Sequence, residues 1–521
     1  MRSSLTGRAD LLPRKAWSFL LFAVCAGPLV AMVAKATKAL SSELLIHLCR
    51  TVLPMQLGYS LFTATGVVIA GAALAIGGLA CGLFEFRGRS LLEKLLLIPL
   101  LVPAWFLCII YREAHDANGV GWLILTLGIA SAPLFHLLGT AALRRLPHRY
   151  SEVLQVLGRG RPRELVRVLG PLSLPALGVA GALAFLSAWA DAPSARIMAV
   201  PTLTVGLFDQ WFGREQDAAG ALISLGLLAV SLIPGLLLWR LTSRATWKDS
   251  ARLHHHHPAR RQPLHGWPTV LVWLLCTPQL VGGVAVPFVV IGTWTVDRLA
   301  RVNLALLASD LLHSLVVAGG GTLLAVLLGS AILYAQSMGT LPRLTSTTGG
   351  IAFAVFALPT AALGMAFLWL LPSGPEPGFV ESVNSTPLPL VAALGVRFAA
   401  IFFAVGHAAL LRHGGDHAAL LRVFGRSDVL SFVRCLRPFL TGPMAAAASF
   451  VFLQVLQDLP LALLLQPFDY ATMSTRLFQY AQTQRVRECA VWILCLAIVG
   501  VYPLLTLARA GCAEPEQVAA G

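Results

Sequence analysis

Long apolar runs, each about the length of a membrane-spanning helix, constrain this chain more than any other feature. A helix crosses the bilayer core with about 20 apolar residues, and twelve such runs follow one another along the 521 residues. The runs lie at 16–36, 58–83, 93–111, 120–141, 172–190, 218–239, 268–294, 312–335, 348–371, 387–411, 439–465 and 488–508. Only 12% of residues are charged, against about 25% in soluble domains. The sequence therefore predicts an all-α polytopic membrane protein with about 12 spans.

The distribution of positive charge indicates which loops face the cytoplasm. If the N-terminus is inside, the predicted inner segments hold 27 of the 39 Lys and Arg residues and the outer segments 11, with Arg397 inside a span. Cytoplasmic loops carry this excess, so we expect both termini to be cytoplasmic in a bacterial inner membrane. Arg14 and Lys15 before the first run resemble a signal peptide, but that run is long for one, and we expect it to remain as the first span. The net charge of +15 follows from topology and does not indicate nucleic-acid binding.

A polar stretch at 241–267 divides the apolar runs into two sets of six. It carries His254–His257 and several arginines. Four consecutive histidines can bind a metal, but a tract in a loop lacks fixed geometry, and we favour a cytoplasmic linker. The nine cysteines are scattered singly, with no CxxC pair to indicate a redox or metal site. We therefore predict a first half at 1–240, the linker, and a second half at 268–521.

The two halves repeat one another at an offset of 267 residues. Residues 151–159 (SEVLQVLGR) align with 418–426 (AALLRVFGR). The same offset, without a gap, pairs Val166 with Val433, Arg167 with Arg434, Pro171 with Pro438, Phe185 with Phe452, Leu186 with Leu453, Asp191 with Asp458 and Pro193 with Pro460. This repetition indicates two pseudo-symmetric six-helix halves, each with a basic cytoplasmic loop between its fourth and fifth spans, at about 150–171 and about 417–438.

These loops resemble the signature of a known family, the fused permeases of ATP-binding cassette (ABC) importers of the type I fold. That signature is EAA, three residues, Gly, nine residues, then Ile-x-Leu-Pro. The first loop matches it at Glu152, Gly158 and Pro171, and departs from it at Val153, Leu154 and Gly170. The second keeps Gly425 and Pro438 but has Ala419 in place of Glu and Arg437 in place of Leu. The second copy is therefore degenerate.

The resemblance implies how the loops work. In this family each loop forms a coupling helix that sits in a cleft of a cytoplasmic ATPase dimer and transmits its closure to the spans. Glycine permits an unusual turn there, and proline is expected to start the next helix. Glu152 is expected to stabilise the N-terminus of the loop helix. Arg159 and Arg426 either pair with acidic groups on the ATPase or only satisfy the positive-inside rule.

A softer motif indicates the cargo. Residues 458–465 (DLPLALLL), followed by 475–478 (TRLF), resemble the matching stretch of ferric-iron-type permeases, with a weaker echo at 191–193 and 202–204. This implies ferric iron delivered by an extracytoplasmic solute-binding protein, while thiamine, phosphonate and polyamine cargo stay open. The chain has no GxxxxGK[ST] motif, so ATP is expected on the partner subunit. We predict no catalytic residue, no metal site and no cofactor held by this chain.

Three charged residues in or beside spans are candidates for the translocation path, because such charges are costly in a membrane. Asp191 and Asp458 stand at equivalent places near the outer ends of the fifth and eleventh spans, where they either line the path or gate or only end a helix. Arg397 lies deep in the tenth span and either packs against an acidic neighbour or lines the pore. Pro99 and Pro103 are expected to kink the third span, because each removes a backbone donor.

Two other classes of membrane protein were weighed against the permease. A secondary transporter of the major facilitator kind also has twelve spans in two halves, but its basic signature loop is expected between spans two and three. Here the basic loops follow the fourth and tenth spans. A membrane-embedded enzyme would need clustered His, Asp or Glu, and the sequence shows no such cluster.

Overall fold

The computed structural model describes residues 11–37, 43–144, 162–211, 213–243, 261–338, 341–370, 383–412 and 429–512. These residues are predominantly α-helical, with one two-residue β bridge that joins β1 (Phe84–Glu85) and β2 (Gln262–Pro263) in parallel. The helices in chain order are α1 (Leu11–Ala36), α2 (Glu43–Leu83), α3 (Arg89–Leu95), α4 (Ala104–His115), α5 (Gly119–Arg144), α6 (Pro162–Ala190), α7 (Ala192–Ile197), α8 (Leu203–Trp211), α9 (Asp217–Ser243), α10 (Trp267–Leu280), α11 (Val286–Arg298), α12 (Leu304–Met338), α13 (Pro342–Ala357), α14 (Thr360–Leu370), α15 (Leu388–Arg412), α16 (Val429–Leu456), α17 (Pro460–Leu465), α18 (Met473–Gln482) and α19 (Cys489–Cys512). Shorter turns are 3₁₀ at Ile98–Leu101, Leu299–Arg301 and Val486–Glu488, and π at Val281–Ala285.

Nine helices in the described residues are long and apolar enough to cross a membrane, and the number rises to eleven if each of two bent pairs is one span. The nine are Ala16–Ala36, Arg50–Leu83, Gly119–Arg144, Ser173–Ala190, Asp217–Leu241, Trp267–Arg301, Leu304–Ser337, Leu388–Leu410 and Val486–Arg509. The prediction of an all-helical protein with many spans is thereby confirmed. The number twelve and its division into two sets of six stay a proposal.

Two predicted spans are sharply bent. In the third, Arg89–Leu101 and Ala104–His115 meet at 89°, on the N-terminal side of Pro103 as expected. In the ninth, Arg343–Ala357 and Thr360–Leu370 meet at 114°, and Pro359 occupies the break. Proline cannot donate to the helix ladder and its ring clashes with the preceding turn, which explains why both helices stop there.

The predicted eleventh span, 439–465, ends earlier than its apolar pattern suggested. The helix α16 that carries it ends at Leu456. Leu459 is followed by the separate six-residue helix α17 (Pro460–Leu465). Asp458 and Pro460 both favour a new helix start, and hydropathy alone does not register such a boundary.

The chain forms two compact units, each assembled from three stretches of sequence. Unit 1 contains Met1–Leu53, Gly206–Ala251 and Leu312–Thr475, and unit 2 contains Pro54–Val205, Arg252–Leu311 and Arg476–Gly521. Each unit therefore takes residues from both predicted halves. The halves describe the repetition of the sequence, whereas the units describe which residues pack together.

Within unit 1, α1 packs against α9, α13 and α14, and α15 packs against α13 and α16. The short helix α17 packs on α14, where Gly364 leaves room for the Leu464 side chain: a Cβ at Gly364 would lie 2.5 Å from Leu464 Cδ1. Within unit 2, α5 packs against α6, and α4 packs against α5 and α7. In both units a bent span thus contacts a short helix, and this arrangement positions the candidate site.

Candidate functional site

The coupling-loop residues are only partly within the structure. Glu152, Gly158, Arg159, Gly425 and Arg426 lie outside the described residues, so their assignment stays a prediction. Both loop prolines are described as backbone. We expected them to start the next helices, and that expectation is wrong. The helices start earlier, at Pro162 and Val429, so that Pro171 and Pro438 each stand at the tenth helical residue.

Asp191 caps a short helix in unit 2. It is the N-cap of α7, and its Oδ1 accepts a hydrogen bond from the Ser194 backbone N–H at 2.9 Å. Its Oδ2 accepts a second hydrogen bond from the Ser194 hydroxyl at 2.6 Å. An aspartate at this position satisfies a backbone donor that the first helical turn leaves unpaired. The carboxylate is thereby fixed at the end of α6.

Asp458 repeats this arrangement in unit 1. Its Oδ1 accepts a hydrogen bond from the Leu461 N–H, also three residues ahead, at 3.0 Å. A proline follows each aspartate by two residues. The alignment of Asp191 with Asp458 therefore corresponds to similar local structures, each a helix break closed by a carboxylate, although the N-cap of α17 is Leu459, one residue after Asp458.

The two carboxyls also share their electrostatic environment. Both lie just beyond the ends of the apolar helices α6 and α16, and neither is fully enclosed. Partial removal from water raises the pKa of Asp191 to about 6 and the pKa of Asp458 to about 6, because burial disfavours the charged form. Arg397 opposes this rise at Asp458.

A second pair of contacts, which the sequence reasoning missed, holds the segment after each short helix. In unit 2 the Ser60 hydroxyl accepts a hydrogen bond from the Leu203 N–H at 2.7 Å. In unit 1 the Ser314 hydroxyl accepts one from the Met473 N–H, also at 2.7 Å. Both amides open a helix, α8 and α18. A serine inside an apolar run gives no sequence signal of a partner more than a hundred residues away.

Arg397 forms a hydrogen bond at the bend of the bent span in unit 1. Its Nη1 donates to the Leu358 carbonyl at 3.1 Å, and Leu358 is the C-cap of α13, directly before Pro359. Its guanidinium lies 6.0 Å and 5.6 Å from the ring centroids of Phe356 and Phe398. A cation is favourable at a helix C-terminus, where carbonyls are unpaired.

One of the two roles considered for Arg397 was packing against an acidic neighbour. The structure shows an electrostatic interaction with such a neighbour, Asp458, but no direct contact. Asp458 interacts with Arg397 electrostatically, but no ion pair within 4 Å joins Arg397 to a carboxylate of the described residues. The direct partner of Arg397 is a backbone carbonyl. Its first role is therefore to stabilise the break between α13 and α14.

A small cavity of about 10 Å³ lies beside Asp458 in unit 1. Its polar lining comes from Ser314, Asp458 and Thr472, and its apolar lining comes from Val317, Leu390, Leu394, Val455, Leu456 and Ala462. A volume of this size admits about one water molecule. The residues that fasten α17 and α18 thus also surround this polar space, which is too small for a hydrated solute.

An ion pair with a buried carboxylate holds the arginine of the TRLF motif. Arg476 donates from Nε to Asp310 Oδ2 at 2.8 Å and from Nη2 to Asp310 Oδ1 at 3.2 Å. Asp310 is 1% exposed and also accepts from Trp492 Nε1 at 3.0 Å. A two-pronged Arg–carboxylate contact fixes orientation as well as charge. The motif residue Arg476 thereby anchors the part of α18 that belongs to unit 2, from Arg476 onward, a role that the sequence did not reveal.

Asp191, Asp458 and Arg397 form hydrogen bonds with backbone groups at the ends of helices and hold those ends in place. In the described residues no three His, Cys, Asp or Glu side chains are grouped as metal ligands would be. Paired aspartate contacts, paired serine contacts and paired bends instead build two similar segments of interrupted helix, one in each unit.

The chain was compared with known proteins. Over 466 residues it is 19% identical to the Fe(3+)-transport system permease protein FbpB 2 of Haemophilus influenzae, and the match covers 85% of this chain and 88% of the relative. The chain resembles the ABC importer permeases. No family model matches it, and no solved structure matches it. The match nevertheless covers most of both proteins, so the similarity extends over the whole relative rather than over one segment of it.

Proposed function

We propose that this chain is the permease subunit of an ABC importer that carries ferric iron across the bacterial inner membrane. The observation that supports this most is the end-to-end similarity to a protein named as a permease of an Fe(3+)-transport system. The many apolar helices and the repeated aspartate caps agree with a duplicated permease. The chain itself performs no chemistry on its cargo.

The proposal includes the partners and the orientation. Twelve spans in two halves, 1–240 and 268–521, place both termini and the linker in the cytoplasm. A dimer of cytoplasmic ATPase subunits binds the loops that carry Gly158 and Gly425 and supplies the energy. An extracytoplasmic binding protein delivers the cargo to the outer side, where Asp191 and Asp458 shape the gate.

The ATPase partnership is tested first by co-purification. The chain is extracted in mild detergent, and the subunits that purify with it are identified by mass spectrometry. We expect a P-loop ATPase, which is lost from the double variant Gly158→Asp/Gly425→Asp. Gly7→Asp, the same substitution in the predicted cytoplasmic N-terminal segment, serves as control and is expected to retain the ATPase. A chain that purifies alone and still transports would overturn the proposal in favour of a secondary transporter.

The cargo is tested separately by uptake. Cells with and without the gene are given radiolabelled ferric citrate, thiamine, aminoethylphosphonate or spermidine. We expect gene-dependent uptake of iron only. Gene-dependent uptake of one of the other three compounds would replace the cargo and leave the permease assignment intact.

A further inference from the structure

A buried carboxylate in unit 2 lies outside the candidate gate and has two arginine partners. Glu93, on α3, is 5% exposed. Its Oε1 accepts from Arg89 Nη1 at 2.6 Å and from Arg144 Nη2 at 2.5 Å. Arg89 lies one turn earlier on the same helix, whereas Arg144 is the last residue of α5. Both guanidinium groups stabilise the charged form of this buried carboxylate.

The same short segment also binds the end of the linker between the two halves. Glu85 forms ion pairs with Arg89 at 3.0 Å and with Arg261 at 3.4 Å. The Leu264 N–H donates to the Glu85 carbonyl at 2.8 Å, next to the β1–β2 bridge. Glu85, Arg89, Glu93, Arg144 and Arg261 thus form one connected group, which we name the inner junction.

The position of the inner junction gives it a mechanical consequence. Arg144 ends α5 and stands six residues before the start of the first coupling loop, at about 150–171. Leu264 precedes by three residues the start of α10 at Trp267, the first helix of the second half. The segment 84–95 therefore holds the helix that enters the first coupling loop and the beginning of the second half at the same place.

We infer that Glu93 is a positioning residue through which displacement of the first coupling loop reaches α10. This inference rests on the proposed function, since it requires an ATPase that moves the loop. A shielded carboxylate held by two guanidinium groups resists separation more than an exposed pair does, because water screens it less. Arg144 cannot move away from Glu93 without leaving that carboxylate undercompensated, so α3 and the linker end follow α5.

The inner junction belongs to the first half alone. The sequence between 339 and 371, where the matching loop and bent span of the second half lie, contains no Asp or Glu. The first half is also the one whose coupling loop keeps its glutamate, Glu152. Both observations assign the stronger mechanical connection to the same loop.

The test measures whether ATP binding reaches α10. The permease co-purified with its ATPase is followed by hydrogen–deuterium exchange with and without Mg²⁺-ATP. In the wild type we expect ATP to change the exchange of peptides from 119–144 and from 267–280. In Arg144→Gln we expect the change at 119–144 to persist and the change at 267–280 to fall about tenfold, as for mutations along a coupling network.

Three further variants separate coupling from folding. Arg144→Gln leaves Arg89 on Glu93, so no buried charge is orphaned, and Arg144→Lys, which keeps the charge, is expected to retain part of the response. Glu93→Gln is expected to behave as Arg144→Gln. Glu113→Gln, an exposed glutamate of the same unit, is the control and is expected to match the wild type. ATP hydrolysis per complex is expected to change by less than about twofold in all four.

Each remaining outcome has a defined meaning. An ATP response at 267–280 that survives in Arg144→Gln and Glu93→Gln would overturn the inference and leave the permease assignment standing. Equal loss of the responses at 119–144 and 267–280 would assign Glu93 to folding alone and also overturn it. A wild-type chain that purifies without an ATPase would instead overturn the proposed function, and the inference with it.

Discussion

At the scale of single residues, the candidate site consists of side chains that complete backbone hydrogen bonds at interrupted helices. Asp191 and Asp458 each accept from an N–H three residues ahead, and Arg397 donates to a carbonyl at a helix end. Helix ends leave such groups unpaired, and pairing matters most where water is scarce. Asp191, Asp458 and Arg397, which the sequence analysis proposed for the translocation path, thus stabilise the ends of helices.

Asp458→Ala is expected to destabilise the protein by about 0.5–2 kcal/mol, because it removes a helix cap. Asp458→Asn keeps an acceptor oxygen and is expected to stay within about 0.5 kcal/mol of the wild type, since Asn caps about as well as Asp. Thermal unfolding in detergent measures both. If Asp458→Asn is as unstable as Asp458→Ala, the negative charge rather than the cap stabilises this end.

Arg397→Gln is expected to lower stability by about 1.5–3 kcal/mol, the range for a hydrogen bond made by a charged group. The loss arises because the Leu358 carbonyl beside the bend loses its donor. Arg397→Lys keeps the charge and is expected to lose less. Arg343→Gln, which changes an exposed arginine on α13, is the control. An unaltered unfolding temperature for Arg397→Gln would remove Arg397 from this role.

At the scale of elements, several predicted membrane spans are interrupted, so that each consists of two shorter helices. The bend at Pro103 followed from the sequence, because a proline inside an apolar run removes a donor and adds a clash. The same chemistry acts at Pro359, which the sequence reasoning passed over, and there the break is completed by Arg397, 39 residues away. The sequence pattern of a single segment cannot predict such a contact with a residue far away in the chain.

Other differences between expectation and structure have the same origin. The sequence analysis predicted one span, 439–465, across α16 and α17, because most residues of that stretch are apolar. Asp458 and Pro460 mark the boundary between the two helices. The prolines of the loop signature were expected to start helices, yet α6 and α16 begin nine residues earlier. The repeat correctly predicted that Asp191 and Asp458 occupy equivalent positions, since each accepts a hydrogen bond from an N–H three residues ahead. Two aligned copies of one pattern give more evidence than a single copy.

Ser314→Ala is expected to destabilise unit 1 by about 1–3 kcal/mol, because the buried Met473 N–H loses its acceptor. Ser309→Ala, on the same helix, is the matched control. The Ser309 hydroxyl donates to the Leu306 carbonyl within α12, so its loss leaves no donor unpaired, and we expect a change within about 0.5 kcal/mol. Thermal unfolding and hydrogen exchange at the Met473 amide measure the effect. Equal losses in the two variants would show that Ser314 does not fasten α18.

At the scale of the whole molecule, the two halves are alike in sequence but differ in the residues to which the proposed function assigns coupling. Both keep the glycine and the proline of the loop at the same spacing, whereas Glu152 has Ala419 as its counterpart. The inner junction, with its buried Glu93, likewise belongs to the first half. In the proposed permease, two copies within one chain can diverge in this way, because neither copy has to serve both positions of a symmetric dimer.

Gly158→Asp is therefore expected to uncouple ATP hydrolysis from transport more than Gly425→Asp. Coupling is measured as iron taken up per ATP hydrolysed by the complex in proteoliposomes supplied with its binding protein. We expect at least about a fivefold difference between the two variants, the scale of a typical coupling free energy, with Gly7→Asp matching the wild type. An aspartate has the same size and charge at both sites, so a difference reports the loops themselves. Equal losses at both glycines would mean that the degenerate second loop transmits as much of the ATPase movement as the first.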